Sequence, residues 1–192
     1  MTRPDADGSA GRLFLAVDPA PDAVAELDRA LQPLRQAPGA PRWSPLDRWH
    51  LTLLFLDQVP GVRLTPLLDA VGPAVGAAPP MSLAMAEGGR FGSRRRPTVC
   101  WVGVTGDVAP LTALADRLAT AARGVGLPVE DRPFRPHLTV GRWRRGQPAD
   151  GDLPDRLQGH RGPSWPVTEV VLCRSHLGPV PRYERVTAWP VG

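Results

Sequence analysis

Apolar and polar positions along the chain fall into blocks that predict a mixed protein of strands and helices. Residues 12–17 are a nearly unbroken apolar run, which predicts a buried first strand. Asp18, Pro19, Pro21 and Asp22 supply helix-start chemistry. Val24, Leu27, Leu31 and Leu34 then recur at helical spacing, with Pro33 near the end. A second strand is predicted over 49–56, and a helix interrupted by Pro66 and Pro73 over 60–75. Residues 81–86 and 98–104 read as strands flanking a flexible basic loop, 87–97. Leu111, Leu114, Leu118 and Ala122 share one stripe of the clearest helix, 108–125. A strand over 136–142 follows, then a Gly/Pro-rich loop with one helical turn over 144–163, and closing strands over 167–173 and 183–189.

The order strand-helix-strand-helix-strand thus occurs about twice. It predicts an α+β fold of two pseudo-symmetric lobes, each a mainly antiparallel sheet backed by helices, around a central groove. At 192 residues the chain fits a single domain over 12–192, behind a loose polar tail over 1–11. No apolar run reaches membrane-spanning length, so a membrane is not an expected partner. All 23 basic residues are arginines, and the net charge of +4 fits an anionic partner without singling one out. Cys100 and Cys173 lie in apolar runs without metal-ligand spacing, which predicts buried, reduced thiols in the cytoplasm.

Two short segments change this picture. His50-Leu51-Thr52-Leu53 and His137-Leu138-Thr139-Val140 repeat one pattern at matching places of the two half-chains. On a strand, His and Thr project from one face while the apolar residues project from the other. Two such strands would set two imidazoles and two hydroxyls around one groove. Imidazoles of opposite protonation state can take and give protons, and hydroxyls can meet charge building on phosphate oxygens. Metal-ligand sets, a P-loop and a Gly-x-Gly-x-x-Gly turn are absent from the sequence, so neither a metal, a cofactor nor ATP-driven sealing is expected.

Residues 50–56 and 134–142 resemble the two motifs of the 2H phosphoesterases, and of their bacterial RNA 2',3'-cyclic phosphodiesterase (2'-5' RNA ligase) branch in particular. The resemblance extends to 12–17, to Gly89-Arg90-Phe91-Gly92 with 99–104, and to Ser175-His176-Leu177 through Gly178-Pro179, Tyr183 and Trp189-Pro190. It implies metal-independent hydrolysis of RNA 2',3'-cyclic phosphate ends to 2'-phosphates, with weak reverse 2'-5' ligation. His50 becomes the acid that releases the 3' oxygen and His137 the base, with Thr52, Thr139 and Arg142 at the phosphate. RNA ends, tRNA fragments among them, become the partners, and a monomer is the default state. The rival readings are a cyclic phosphodiesterase for a small ADP-ribose cyclic phosphate, and a nucleotide- or RNA-binding module with vestigial activity.

Some positions carry expectations of their own. Strand parity sets Arg142 opposite to His137 unless a bulge at Gly141 turns it back. Asp57 stands where the family often has Gly, which predicts a local loop difference. Phe55 shares the Leu51/Leu53 face and reads as core; Trp43, Trp49 and Trp143 read as packing. Arg94, Arg95, Arg96, Arg144 and Arg145 divide evenly between tracking RNA and plain solvation, and His160 and His176 read as incidental.

Overall fold

The structure, a computed structural model, describes residues 9–176 and 182–192. Nine strands among the described residues form one antiparallel sheet. They are β1 (Ser9–Val17), β2 (Arg42–Trp43), β3 (Leu51–Pro60), β4 (Ser82–Ser93), β5 (Arg96–Gly106), β6 (His137–Arg142), β7 (Arg161–Pro166), β8 (Glu169–His176) and β9 (Arg182–Pro190). Their order is β7-β4-β5-β6-β3-β1-β8-β9, with β2 paired to β6 off this path. The two central strands, β3 and β6, meet through one register pair, Leu51 with Leu138. The sheet therefore divides there into two four-stranded halves. Outward from the junction, β3-β1-β8-β9 mirrors β6-β5-β4-β7, which is the pseudo-twofold arrangement of two lobes about a groove.

Three helices back the sheet: α1 (Pro21–Leu31), α2 (Gly61–Gly76) and α3 (Val108–Gly124). α1 starts on Pro21 and carries Asp22 in its first turn, where a carboxylate favours the positive helix end. It buries Ala23, Leu27 and Leu31 and packs on β7 and β4, in the half opposite to its own strand. α2 and α3 pack on each other and against β3. α2 runs on through both prolines. Pro66 and Pro73 lie on its exposed face, and the carbonyls they free, on Val62 and Asp69, belong to exposed residues that water can serve. Its buried stripe is Leu67, Val71 and Val75.

Several boundaries differ from the sequence reading. β1 begins at Ser9, inside the expected tail, because Ser9 and Gly11 pair with Pro60 and Val59. The expected basic loop 87–97 is mostly a hairpin: β4 and β5 stay paired out to Ser93 and Arg96, with Arg94 and Arg95 between them. Its glycines read as loop but serve packing, since a Cβ on Gly89 would lie 2.1 Å from the Trp101 indole of the paired strand. The expected loop 144–163 holds one 3₁₀ turn, Leu153–Leu157, and the start of β7, an edge strand whose mostly exposed residues and prolines hide it from pattern reading. Cys100 is buried as expected; Cys173 is only half-buried, and both thiols are free. Leu177, Gly178 and Pro179 of the closing segment lie outside the described residues, as do residues 1–8 of the tail.

Candidate active site

The register at the junction arranges the paired motifs. With Leu51 opposite Leu138 in an antiparallel ladder, one step either way sets His50 across from Thr139 and Thr52 across from His137. The leucines point into the core and are fully buried, which fixes the register, because a slip of one residue would turn them to the groove. The four polar side chains then share the opposite face.

Both motif strands carry a bulge one residue beyond the threonine. Against β1, Thr52 pairs with Ala16 but Leu54 with Leu15, so Leu53 is the extra residue of β3. Against β5, Thr139 pairs with Trp101 but Gly141 with Cys100, so Val140 is the extra residue of β6. Each bulge reverses the alternation and returns the third residue past the threonine to the histidine face. In β6 that residue is Arg142, which is why it reaches the groove against simple parity. In β3 it is Phe55, which is 66% exposed in the groove and not in the core as the sequence suggested.

The two imidazoles are held alike. His137 Nδ1 lies 2.6 Å from the carbonyl oxygen of Arg135. A carbonyl only accepts, so Nδ1 carries the proton and Nε2 is left for chemistry. His50 likewise hydrogen-bonds the backbone of Arg48, two residues before it. Phe14 stacks on His50 at 4.9 Å between ring centroids, and Tyr183 meets it edge-on at 5.3 Å. Phe91 meets His137 edge-on at 4.9 Å, with Trp101 at 6.1 Å.

This apolar bracketing sets the electrostatics. Burial pushes the His50 imidazole down to about 4; the Arg48 backbone opposes the shift and the neighbouring His137 adds to it. Burial also lowers His137, opposed by the Arg135 carbonyl and assisted by Arg142. The two histidines and Arg142 therefore lie within each other's electrostatic reach.

The groove is a cleft of about 910 Å³, lined by His50, Thr52, Thr139 and Arg142 together with Phe14, Phe55 and Tyr183. Among its arginines, Arg12 pairs with Asp57 at 2.6 Å and Arg132 with Glu130. Arg42, Arg48 and Arg142 have no carboxylate partner among the described residues, so the mouth is net cationic. The sequence reading missed Phe14, Tyr183 and Arg42. Alternation of Arg12, Phe14 and Ala16 against Leu13, Leu15 and Val17, which join the main hydrophobic core, was the available signal for Phe14.

Other expectations resolve as follows. Asp57 forms no separate loop; it lies within β3 at φ 49, a left-handed conformation that glycine adopts freely and aspartate tolerates. Trp49 and Trp143 are buried packing residues, whereas Trp43 lines the cleft beneath Arg35. Arg94 is engaged by Asp152 and Asp155, and none of Arg94, Arg95, Arg96, Arg144 or Arg145 lines the cleft. His160 lies in a loop and is largely buried, 3.4 Å from Glu26, while His176 pairs with Glu184 at 2.8 Å. Among the described residues, no cluster of three or more His, Cys, Asp or Glu could hold a metal ion. No helix among them is long and apolar enough to cross a membrane.

Residues 18–179 match the model of the 2'-5' RNA ligase superfamily. The chain is 34% identical to an RNA 2',3'-cyclic phosphodiesterase of Geobacillus stearothermophilus, over 78% of this chain and 47% of that protein, so it spans about half the length of that relative. A protein of the same name from Archaeoglobus fulgidus is 28% identical over 88% of this chain and 93% of its own length. Among solved structures, TT0787 of Thermus thermophilus superposes with a TM-score of 0.78 at 26% identity, covering 94% of this chain and 97% of that one. Escherichia coli LigT complexed with 3'-AMP gives 0.73 at 26% identity, covering 94% and 98%. The bilobed antiparallel fold with its paired motifs is the fold of these LigT-type phosphoesterases. The chain belongs to the 2'-5' RNA ligase superfamily.

Proposed function

We propose that this protein hydrolyses RNA 2',3'-cyclic phosphate ends to 2'-phosphates, with His50 and His137 as its acid–base pair. The observation that carries the reading is the crossed register, in which each motif's histidine stands opposite the other motif's threonine, beside a cationic cleft that His50, Thr52, Thr139 and Arg142 line. The names of the Geobacillus and Archaeoglobus relatives and the 3'-AMP bound in E. coli LigT support it.

In this mechanism a cyclic phosphate lies between the imidazoles. Water attacks phosphorus, one imidazole takes its proton, and the bond to the 3' oxygen breaks as the other imidazole protonates that oxygen. Thr52, Thr139 and Arg142 donate to the non-bridging oxygens as charge accumulates there. The resemblance to the 2H phosphoesterases makes His50 the acid and His137 the base. With both imidazoles lowered, the free pair is largely neutral at pH 7. The bound phosphate anion supplies the countercharge that lets one of them hold a proton. A 5'-hydroxyl in place of water would follow the same path and form a 2'-5' linkage, the 3' oxygen leaving with the proton from the acid imidazole.

The working setting is a cytoplasmic monomer acting on RNA ends such as tRNA fragments, in keeping with two free thiols. The test is incubation of the protein, in excess chelator, with a short RNA ending in 2',3'-cyclic phosphate. Phosphatase treatment and 2'- and 3'-phosphate standards identify the product end. Conversion to the 2'-phosphate is the expected result, and a folded protein that leaves the substrate intact would overturn the reading.

A further inference from the structure

Arg42 and Arg142 are direct partners across the β2–β6 ladder. Paired residues of an antiparallel ladder project from the same face, so both guanidinium groups enter the cleft, and both line it. Neither has a carboxylate partner among the described residues. Like charges directly opposite one another on paired strands are unfavourable. The fold nevertheless builds this pair with some care. β2 is only two residues long, and it is seated over the β6 bulge, where Ser44 N–H donates to the Val140 carbonyl at 2.9 Å. Gly141 permits the approach: a Cβ there would lie 2.9 Å from Pro41 and 3.2 Å from the Arg42 carbonyl.

The proposed mechanism uses only one of these arginines. Arg142 lies within electrostatic reach of His137, and the proposed mechanism assigns it to the reacting phosphate. Arg42 stands beside it on the neighbouring strand β2, with Arg48 also lining the cleft, and the proposed mechanism gives Arg42 no anion. We propose that Arg42, side by side with Arg142, forms a second phosphate subsite that takes the 5'-phosphate of the terminal nucleotide. The inference rests on the proposed hydrolysis. It identifies the substrate by a second phosphate, which arginine binds through charge-assisted, geometrically matched hydrogen bonds.

The test compares adenosine 2',3'-cyclic phosphate, its 5'-phosphorylated form, and the dinucleotide ApA ending in 2',3'-cyclic phosphate. A small cyclic phosphate bearing a diphosphate serves as a fourth arm. The wild-type protein should prefer the 5'-phosphorylated and dinucleotide forms over the nucleoside cyclic phosphate by about tenfold in kcat/KM, through KM. In Arg42→Ala that ratio should collapse towards one, and in Arg42→Lys it should fall only partway. Preference for the diphosphate ligand over the dinucleotide would overturn the assignment of the subsite to the 5'-phosphate of a terminal nucleotide. A ratio unchanged in Arg42→Ala, or no preference in the wild type, would overturn the subsite itself. Dissociation constants for the corresponding 2'-phosphorylated products are measured alongside. If the protein turns over none of the substrates, the hydrolysis reading fails, yet the binding ratio and its loss in Arg42→Ala still decide the subsite.

Discussion

Leu51 of β3 and Leu138 of β6 sit directly opposite each other at the junction of the two half-sheets, and a pseudo-twofold axis passes between them. The two histidines and the two threonines are set opposite one another by that contact. The proposed reaction needs two proton carriers of opposite state, and the axis supplies two equivalent places that differ in their neighbours. His50 lies against Phe14 and Tyr183, and His137 against Phe91 and Trp101, with the charge of Arg142 bearing on it.

Removing either imidazole should therefore disable the site without unfolding the chain. His50→Ala and His137→Ala are each expected to lower turnover by about 10²- to 10⁴-fold. The double variant should be scarcely worse than the poorer single one, since the pair acts as a unit. Steady-state rates with circular dichroism as the folding control check this. A single variant that retains the wild-type rate removes its histidine from the mechanism.

His137 depends on a backing that has no hydrogen bond to hold it. Trp101 lies flat on Gly89 of the paired strand, where an added Cβ would fall 2.1–2.6 Å from three indole atoms. Gly89→Ala should evict the indole, cost about 1–3 kcal/mol of stability, and loosen His137. Denaturant unfolding gives the first quantity. The imidazole's proton resonances give the second, as a pKa moving back towards the ordinary histidine value. An unchanged denaturation midpoint would mean that the hairpin relaxes around the methyl group.

The repeated motif, the lobed α+β class and the main strands and helices were legible because they rest on alternation and helical spacing, which one sequence displays. What escaped was set by partners distant in sequence. Phe55 reads as core from its own strand, and only its pairing with Phe14 beside the Leu53 bulge shows that it faces the cleft. The β6 bulge could be suspected because a glycine marks it; the β3 bulge has no glycine to mark it. Asp57 was noticed as a departure, but its left-handed backbone and its bond to Arg12 belong to the β1–β3 pairing. β2 is two residues long, too short to carry any period, and yet it places Arg42.

Burial of His50 gives the fold a pH dependence of definite sign. Its imidazole titrates near 4 in the folded protein and near the ordinary value of about 6.5 when unfolded. Between those values the unfolded chain binds a proton that the folded chain refuses. Stability should therefore fall as pH drops from about 6.5 to about 4 and be flat from this cause above that window. The full difference corresponds to at most about 3 kcal/mol, and His137 adds in the same direction. Urea unfolding of the wild type and of His50→Asn at a series of pH values measures it. The variant should show the shallower slope, and equal slopes would place the cause elsewhere.

Phe55 and Phe14 stand 6.1 Å apart between ring centroids, and their exposure predicts opposite behaviour. Phe14 is 3% exposed, whereas Phe55 is 66% exposed in the cleft. Phe14→Ala should cost about 3–5 kcal/mol of stability, as a large core truncation does. Phe55→Ala removes a ring that water already reaches, and should cost no more than about 0.5 kcal/mol. Its effect should fall instead on KM for nucleotide substrates. Stacking of one base on an aromatic ring is worth about 1–3 kcal/mol, so KM should rise by roughly 5- to 150-fold while kcat changes little. A cyclic ribose phosphate without a base separates this from a general disturbance of the cleft, because Phe55→Ala and wild type should bind it alike. If the variant loses as much on the base-free substrate as on the nucleotide, Phe55 does not stack on the base.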